Sequence, residues 1–373
     1  MTRLLKPVFF FFPACLLSLS SPAWSQPPGP AAGREDAAFL MEALWNPEAR
    51  VRQNAVKLLS ELDERPYDDL VKHLESGSPI EAATAAVVLE QMTTLEVPLP
   101  ESVRGELYRI LEIRPAVPWR WNITATLLAG EPGSAGDSLK DHIDLWIWGV
   151  EHPSPFMQLP SLRALERMGS DGQAAEEPLL ALLNRPRRPL TSLVIDPQVI
   201  ADQLIGIEQS IPDYDALTIL ETLVAIEADA NRLLGPLTRL TRHDSEYVRL
   251  DAASMLGKIK TSEPQSEPAR QAAEVLSELA TNRTGNVRVA AVKQLGEIDG
   301  AVEERLSVLG DLLLEDRNDD VRLQAARSLG SMGSAAMPAL EKLERALRFA
   351  KLDTQDAERV IADAIAAIKN PTN

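Results

Sequence analysis

The sequence predicts an all-α fold, an α-solenoid of roughly eight helix pairs that is irregular in its middle. Three observations predict it. One word with helical spacing recurs along the chain. Its last three copies start at residues 248, 287 and 321, so they lie 39 and 34 residues apart, which is room for two helices and two turns. The composition fits such packing: the 373 residues are 45% hydrophobic but only 5% aromatic, so Ala, Leu, Val and Ile supply most of the apolar surface.

The word is Val-Arg-x-x-Ala-x-x-x-Leu-x-x-aliphatic. It reads Val51, Arg52, Ala55, Leu59, Leu62 near the N-terminus, then Val248, Arg249, Ala252, Leu256, Ile259. It returns as Val287, Arg288, Ala291, Leu295, Ile298 and as Val321, Arg322, Ala325, Leu329, Met332. Counting the first Val as zero, the apolar positions fall at 0, 4, 8 and 11, one face of a helix. The small Ala lets a neighbouring helix approach. Gly257, Gly296 and Gly330 follow the Leu in the last three copies.

Each Val-Arg helix is expected to be followed by a partner. Ser334 to Leu343, with Pro338 near its first turn, has that form. So does Ala174 to Leu183 around Pro178, and Leu237 to Leu240 follows Gly235-Pro236. Weaker copies fill the gaps: Ala85, Leu89 and Met92, then Leu165 and Met168 with Gly169, then Ile219, Leu223 and Ile226. The stretch from Trp121 to Ala129 is helical but has no clear register. A final helix, Thr354 to Lys369, presents Val360, Ala364, Ile365 and Ile368, and it should close one end as a lone helix. Glu35 to Leu44 should close the other.

The word, with Asn or Asp upstream and Leu-Gly-x-Ile at its end, resembles HEAT repeats, especially the short bacterial HEAT-like class also found in phycobilin lyases. The closest stretches are 244–259, 284–298 and 318–332, with 46–62 nearly as good. The resemblance covers residues 35–369, strongly at both ends and loosely over 95–235. It implies a solenoid whose pairs stack only on their neighbours. It implies little about function, because the matching residues belong to core and turn. The repeated arginines, Arg52, Arg249, Arg288 and Arg322, have a structural reading. Each can bond turn carbonyls or an Asp of the adjacent repeat, with Asn46, Asp244, Asn286 or Asp319 upstream. The alternative is an arginine stripe that reads a ligand.

Function in such folds concentrates where the repeat breaks. Residues 115–156 hold Trp119, Trp121, Trp146 and Trp148, with His142, His152, Asp141, Asp144 and Glu151 nearby. Tryptophans are common in binding hot spots, though these rings could equally fill an irregular core. His142, Asp144 and His152 match no metal-ligand spacing, so no metal is assigned. Residues 184–213 hold a compact basic loop, Arg185, Arg187 and Arg188 between prolines, and an inserted helix is expected over Pro197 to Gln209. The loop suits an acidic patch on a partner. Its other reading is a solvated turn.

The N-terminal 25 residues read as a secretory signal peptide. Arg3 and Lys6 precede an apolar run from Val8 to Leu19, and Ala23-Trp24-Ser25 offers small residues at a cleavage site after Ser25. Pro13 and the short run count against a membrane anchor, and Phe12-Pro13-Ala14-Cys15 is a poor lipoprotein box. Residues 26–34 make a tether, Gln-Pro-Pro-Gly-Pro-Ala-Ala-Gly being its core, and 370–373 a short tail. Cleavage removes the one Cys and moves the formal charge from -17 to -19. Such an acidic chain is a poor match for nucleic acid.

Catalytic signatures are missing from the sequence. It has no Gly-rich phosphate loop, Gly-x-Ser-x-Gly elbow or His-Glu-x-x-His. Deoxyhypusine hydroxylase, a HEAT-like enzyme, binds iron through His-Glu pairs, yet His73, His142, His152 and His243 are followed by Leu, Ile, Pro and Asp. The glycosylation sequons at Asn122 and Asn282 bear only on a eukaryotic source. No cofactor is expected. The expectation is an exported, periplasmic or secreted scaffold that binds a protein or peptide on the concave face of its second helices, with no nucleic-acid partner and no membrane span after cleavage. Two alternatives stand beside it: an enzyme or small-molecule binder using residues 115–156, and a structural spacer of an envelope assembly.

Overall fold

The computed structural model describes residues 34–46, 48–62, 64–93, 99–113, 118–130, 139–184, 212–260, 266–298, 300–349 and 355–370. The expected signal segment, most of the expected tether, Arg185, Arg187, Arg188 and the helix expected over Pro197 to Gln209 lie outside the described residues. The described residues are helices and turns, without strands. The fold is an all-α solenoid, and its chain divides into two compact units.

The first unit contains α1 (Arg34–Ala43), α2 (Ala49–Ser60), α3 (Tyr67–Ser76), α4 (Pro79–Thr93), α5 (Glu101–Glu112), α6 (Pro118–Gly130), α7 (Ile143–Glu151) and α8 (Pro155–Met168). Successive helices pair as α1/α2, α3/α4, α5/α6 and α7/α8, and the second helices stack α2 on α4 on α6 on α8. The second unit contains α9 (Glu176–Leu183), α10 (Pro212–Ala225), α11 (Ala230–Leu240), α12 (Glu246–Lys258), α13 (Glu267–Leu279) and α14 (Gly285–Glu297). It continues with α15 (Val302–Glu315), α16 (Asp319–Ser331), α17 (Leu340–Phe349) and α18 (Gln355–Lys369). Its second helices stack in the order α10, α12, α14, α16, α18, and its first helices α11, α13, α15, α17 form the other layer.

Local chemistry starts these helices where the repeats need them. Asp229 accepts from the Asn231 N–H at 3.0 Å to open α11, and Asn318 accepts from Asp320 at 2.8 Å to open α16. Ser78 and Glu81 form a reciprocal capping box on α4, which holds the Glu81 carboxyl below its usual pKa. At the far end, Gly333 follows Met332, the last residue of the word and the C-cap of α16, with φ +56, the left-handed turn that stops a helix.

Four expectations are corrected here. The Val-Arg helices α2, α12, α14 and α16 are the second members of their pairs, packed more against the helix before them than against the one after. The end helices are not lone caps, since α1 pairs with α2 and α18 with α17. On α18 the buried stripe is Ala357, Ile361, Ala364 and Ile368, while Val360 and Ile365 are only half-buried. In addition, Gly235-Pro236 lies inside α11 instead of preceding it.

Candidate interaction surface

The word residues are consumed by the fold itself. Positions 0, 4 and 8 are buried in α12, α14 and α16: Val248, Ala252, Leu256; Val287, Ala291, Leu295; Val321, Ala325, Leu329. The glycine after each Leu is the stacking contact. A Cβ on Gly296 would lie 2.6 Å from Ser328 Cβ and 2.8 Å from its Cα, and one on Gly330 would lie 3.0 Å from Ala364 Cα. Ser328 then donates across the same seam to Val292 O at 2.8 Å.

The repeated arginines tie the turns. In every full copy Nη1 donates to the carbonyl six residues back: Arg52 to Asn46 at 2.6 Å, Arg249 to His243 at 2.6 Å, Arg288 to Asn282 at 2.8 Å and Arg322 to Asp316 at 2.9 Å. The same upstream residue turns the chain by accepting the N–H two residues on, as Asn46 from Glu48, Asn282 from Thr284, Asp316 from Asn318 and His243 Nδ1 from Ser245. Arg288 also grips Asp316 of the next repeat with Nε and Nη2, at 3.0 and 3.1 Å. That pair is largely withdrawn from water, the side chains being 16% and 9% exposed. The upstream partner therefore sits at 243, 282 and 316, not at Asp244, Asn286 and Asp319, although Asp319 does pair with Arg322 and the Asp244 carbonyl also accepts from Arg249.

The irregular region hides a further copy. Met157, Gln158, Ser161, Leu165 and Met168 of α8 fall at 0, 1, 4, 8 and 11, and all but Gln158 are buried. Gln158 does the arginine's work: its Nε2 donates to the His152 carbonyl, six residues back, at 2.7 Å. His152 Nδ1 accepts from Ser154 N–H at 3.2 Å, as His243 does from Ser245. Burial holds the His152 pKa below its usual value.

The tryptophans divide. Trp121 and Trp146 are 0% exposed, with centroids 6.1 Å apart in an edge arrangement. Both are core residues and have no surface to offer a partner, which corrects their assignment as contacts. Trp146 Nε1 donates to Leu139 O at 3.2 Å. Trp148 packs its edge on Trp121 and stays half-buried. Of Trp119 only the backbone, in α6, is described. His142 stacks on Tyr108, centroids 3.7 Å apart, and lies 3.6 Å from Glu112. Among the described residues no three His, Cys, Asp or Glu side chains gather as a metal site.

What the word leaves over faces outward. Positions 6 and 10 of α12, α14 and α16 carry Ser254 and Lys258, Lys293 and Glu297, Arg327 and Ser331. Five of these six are exposed and Ser254 is half-buried. Core and stacking positions repeat, whereas these change from copy to copy. No described helix is long and apolar enough to cross a membrane.

The profile of HEAT repeats matches residues 235–330 and again 272–369. No curated protein gives a match. An engineered protein solved by the Northeast Structural Genomics Consortium has a similar fold, at 16% identity over 89% of this chain and 88% of that one, with a TM-score of 0.51. Two others are more distant. YibA of E. coli aligns at 16% identity over 87% of this chain and 98% of its own, with a TM-score of 0.44. Kap121p aligns at 15% identity over 91% of this chain and 38% of its own, also at 0.44.

Proposed function

Because residues 235–369 carry HEAT repeats, we propose that the protein is a non-catalytic scaffold that binds a protein or peptide on the outward face of its second helices. One observation carries the reading. The recurring residues are spent on core, turn and stacking, while the varied side chains at positions 6 and 10 of α12, α14 and α16 line up on one solvent-facing strip. A strip of that kind gives recognition through geometry and side-chain choice, with no reacting group needed. Burial of Trp121 and Trp146 removes two of the rings that an active site in residues 115–156 would use.

The proposal extends to export. It rests on the Arg3/Lys6 region, the apolar run and the small residues at 23 and 25. N-terminal sequencing of the protein recovered from the periplasm or medium should read from Gln26. Recovery of an intact N-terminus in the cytoplasm would overturn this part.

The binding reading is tested by capture from envelope extract with the full-length protein and its K293E/R327E variant. Both changes lie on the solvent-facing strip and should leave the fold intact. The expected result is a saturable partner retained by the parent and lost by the variant. Equal retention by both would move the contact off this face.

A further inference from the structure

Within the second unit, a groove of about 420 Å³ opens between the α13–α14 turn and the C-terminal end of α15 with the turn that follows it. Its volume lies in the range of ordinary ligand pockets. The Arg288–Asp316 pair is part of its lining, and that pair is already internally compensated. Asp311 on the α15 wall is compensated too, by Lys342 Nζ at 2.7 Å. Three charged side chains of the lining have no ion-pair partner among the described residues: Arg283, Arg317 and Glu315. All three are exposed.

Arg283 and Arg317 occupy the same place in adjacent repeats, four residues before Val287 and Val321. Asp244 stands at that place in the repeat before, so the two-arginine arrangement belongs to this groove alone among those three repeats. Stacked helices lie roughly 8–10 Å apart. Alternate side chains of an extended peptide are about 7 Å apart and share one face. Two flexible arginines one repeat apart can therefore each meet a carboxylate on such a strand.

We infer that this groove takes an extended acidic segment of a partner protein, with carboxylates on alternate residues held by Arg283 and Arg317. Arginine suits the task, since its planar fork pairs with a carboxylate through two hydrogen bonds. Glu315 opposes the same ligand by like charge and sets a limit on its affinity. The inference goes beyond the helix-face reading and does not rest on it.

The test uses the full-length protein and a peptide labelled with fluorescein on its N-terminal amine, Gly-Glu-Gly-Glu-Gly amide, read by fluorescence anisotropy at low salt. Saturable binding is expected, weakened about tenfold or more by R283A/R317A and by the Gln-for-Glu peptide, and declining as salt rises. E315Q should tighten binding, a change of opposite sign that a general loss of folding cannot produce. Circular dichroism checks each variant, and K258E on α12, outside the groove lining, serves as a control. Absence of saturable binding, an affinity indifferent to R283A/R317A, or weaker binding by E315Q would overturn the inference. Displacement of the peptide by a single-stranded oligonucleotide at lower concentration would also overturn it, assigning the groove to phosphates.

Discussion

His152 shows how one side chain can be fixed by the turn it makes. Its Nδ1 accepts the Ser154 N–H, its carbonyl accepts from Gln158, and its ring lies 5.4 Å from that of Trp148. Only the neutral ring can accept at Nδ1, and burial lowers the pKa in the same direction. The unfolded chain, with a His pKa near ~6.5, then takes up the proton before the folded one. By linkage this stabilisation is complete above the unfolded pKa and is lost as pH falls through the folded one. H152N keeps an acceptor for Ser154, as Asn282 does for Thr284, but does not titrate. Urea unfolding midpoints measured from pH 8 to pH 5 should fall more steeply for the parent than for H152N. Parallel curves would mean the ring is not held neutral. At this scale the recurring arginine was readable in advance, because a cation after a buried Val has few places to go. The acceptor residue was not, since Asn, His and Asp share it and no single letter marks it.

The element scale turns on close approach. Gly296 lies inside α14, where Ala would ordinarily be favoured by roughly 1 kcal/mol. Here the added carbon would meet Ser328 Cβ and Cα of α16, and backbone cannot swing away as a flexible side chain can. G296A should therefore destabilise the protein by about 1–3 kcal/mol, the usual cost of overpacking, measured by denaturant unfolding. A gain in stability would show that α14 and α16 can separate freely. Gly105, in α5, has open space around its Cβ direction and serves as the contrasting site, where Ala should be neutral or stabilising. The same reasoning explains what the sequence left obscure in the middle. In α6 the large Trp121 fills the interior, and Gly149 of α7 makes room for it: a Cβ there would lie 2.6 Å from Trp121 Cη2. That exchange of size between two helices has no signature in either one. Likewise α8 preserves the geometry of the word through Met157, Gln158 and Ser161 while changing its letters.

The whole molecule is a sum of such seams, and its two units should differ from a single cooperative globule in a measurable way. Each unit has its own interior. The second carries Leu179, Leu220, Leu223, Leu256, Leu295, Leu329 and Ile361, all buried among helices of that unit. Its helices gain their burial from nearest neighbours in the stack, so the stability of the unit approximates a sum of local terms. The part of the chain from Gly169 onward is about 205 residues, well within the size of a self-supporting domain. The fragment 169–373 should thus be helical by circular dichroism and unfold in a cooperative transition, without the hydrophobic-dye binding of a collapsed, unpacked state. It also contains Arg283, Arg317 and Glu315, so folding of the fragment would place the acidic-peptide groove on a separable module. A fragment that binds dye and lacks a cooperative transition would mean that the second unit depends on the first for its core. In that case the buried residues of the two units would have to be counted as one.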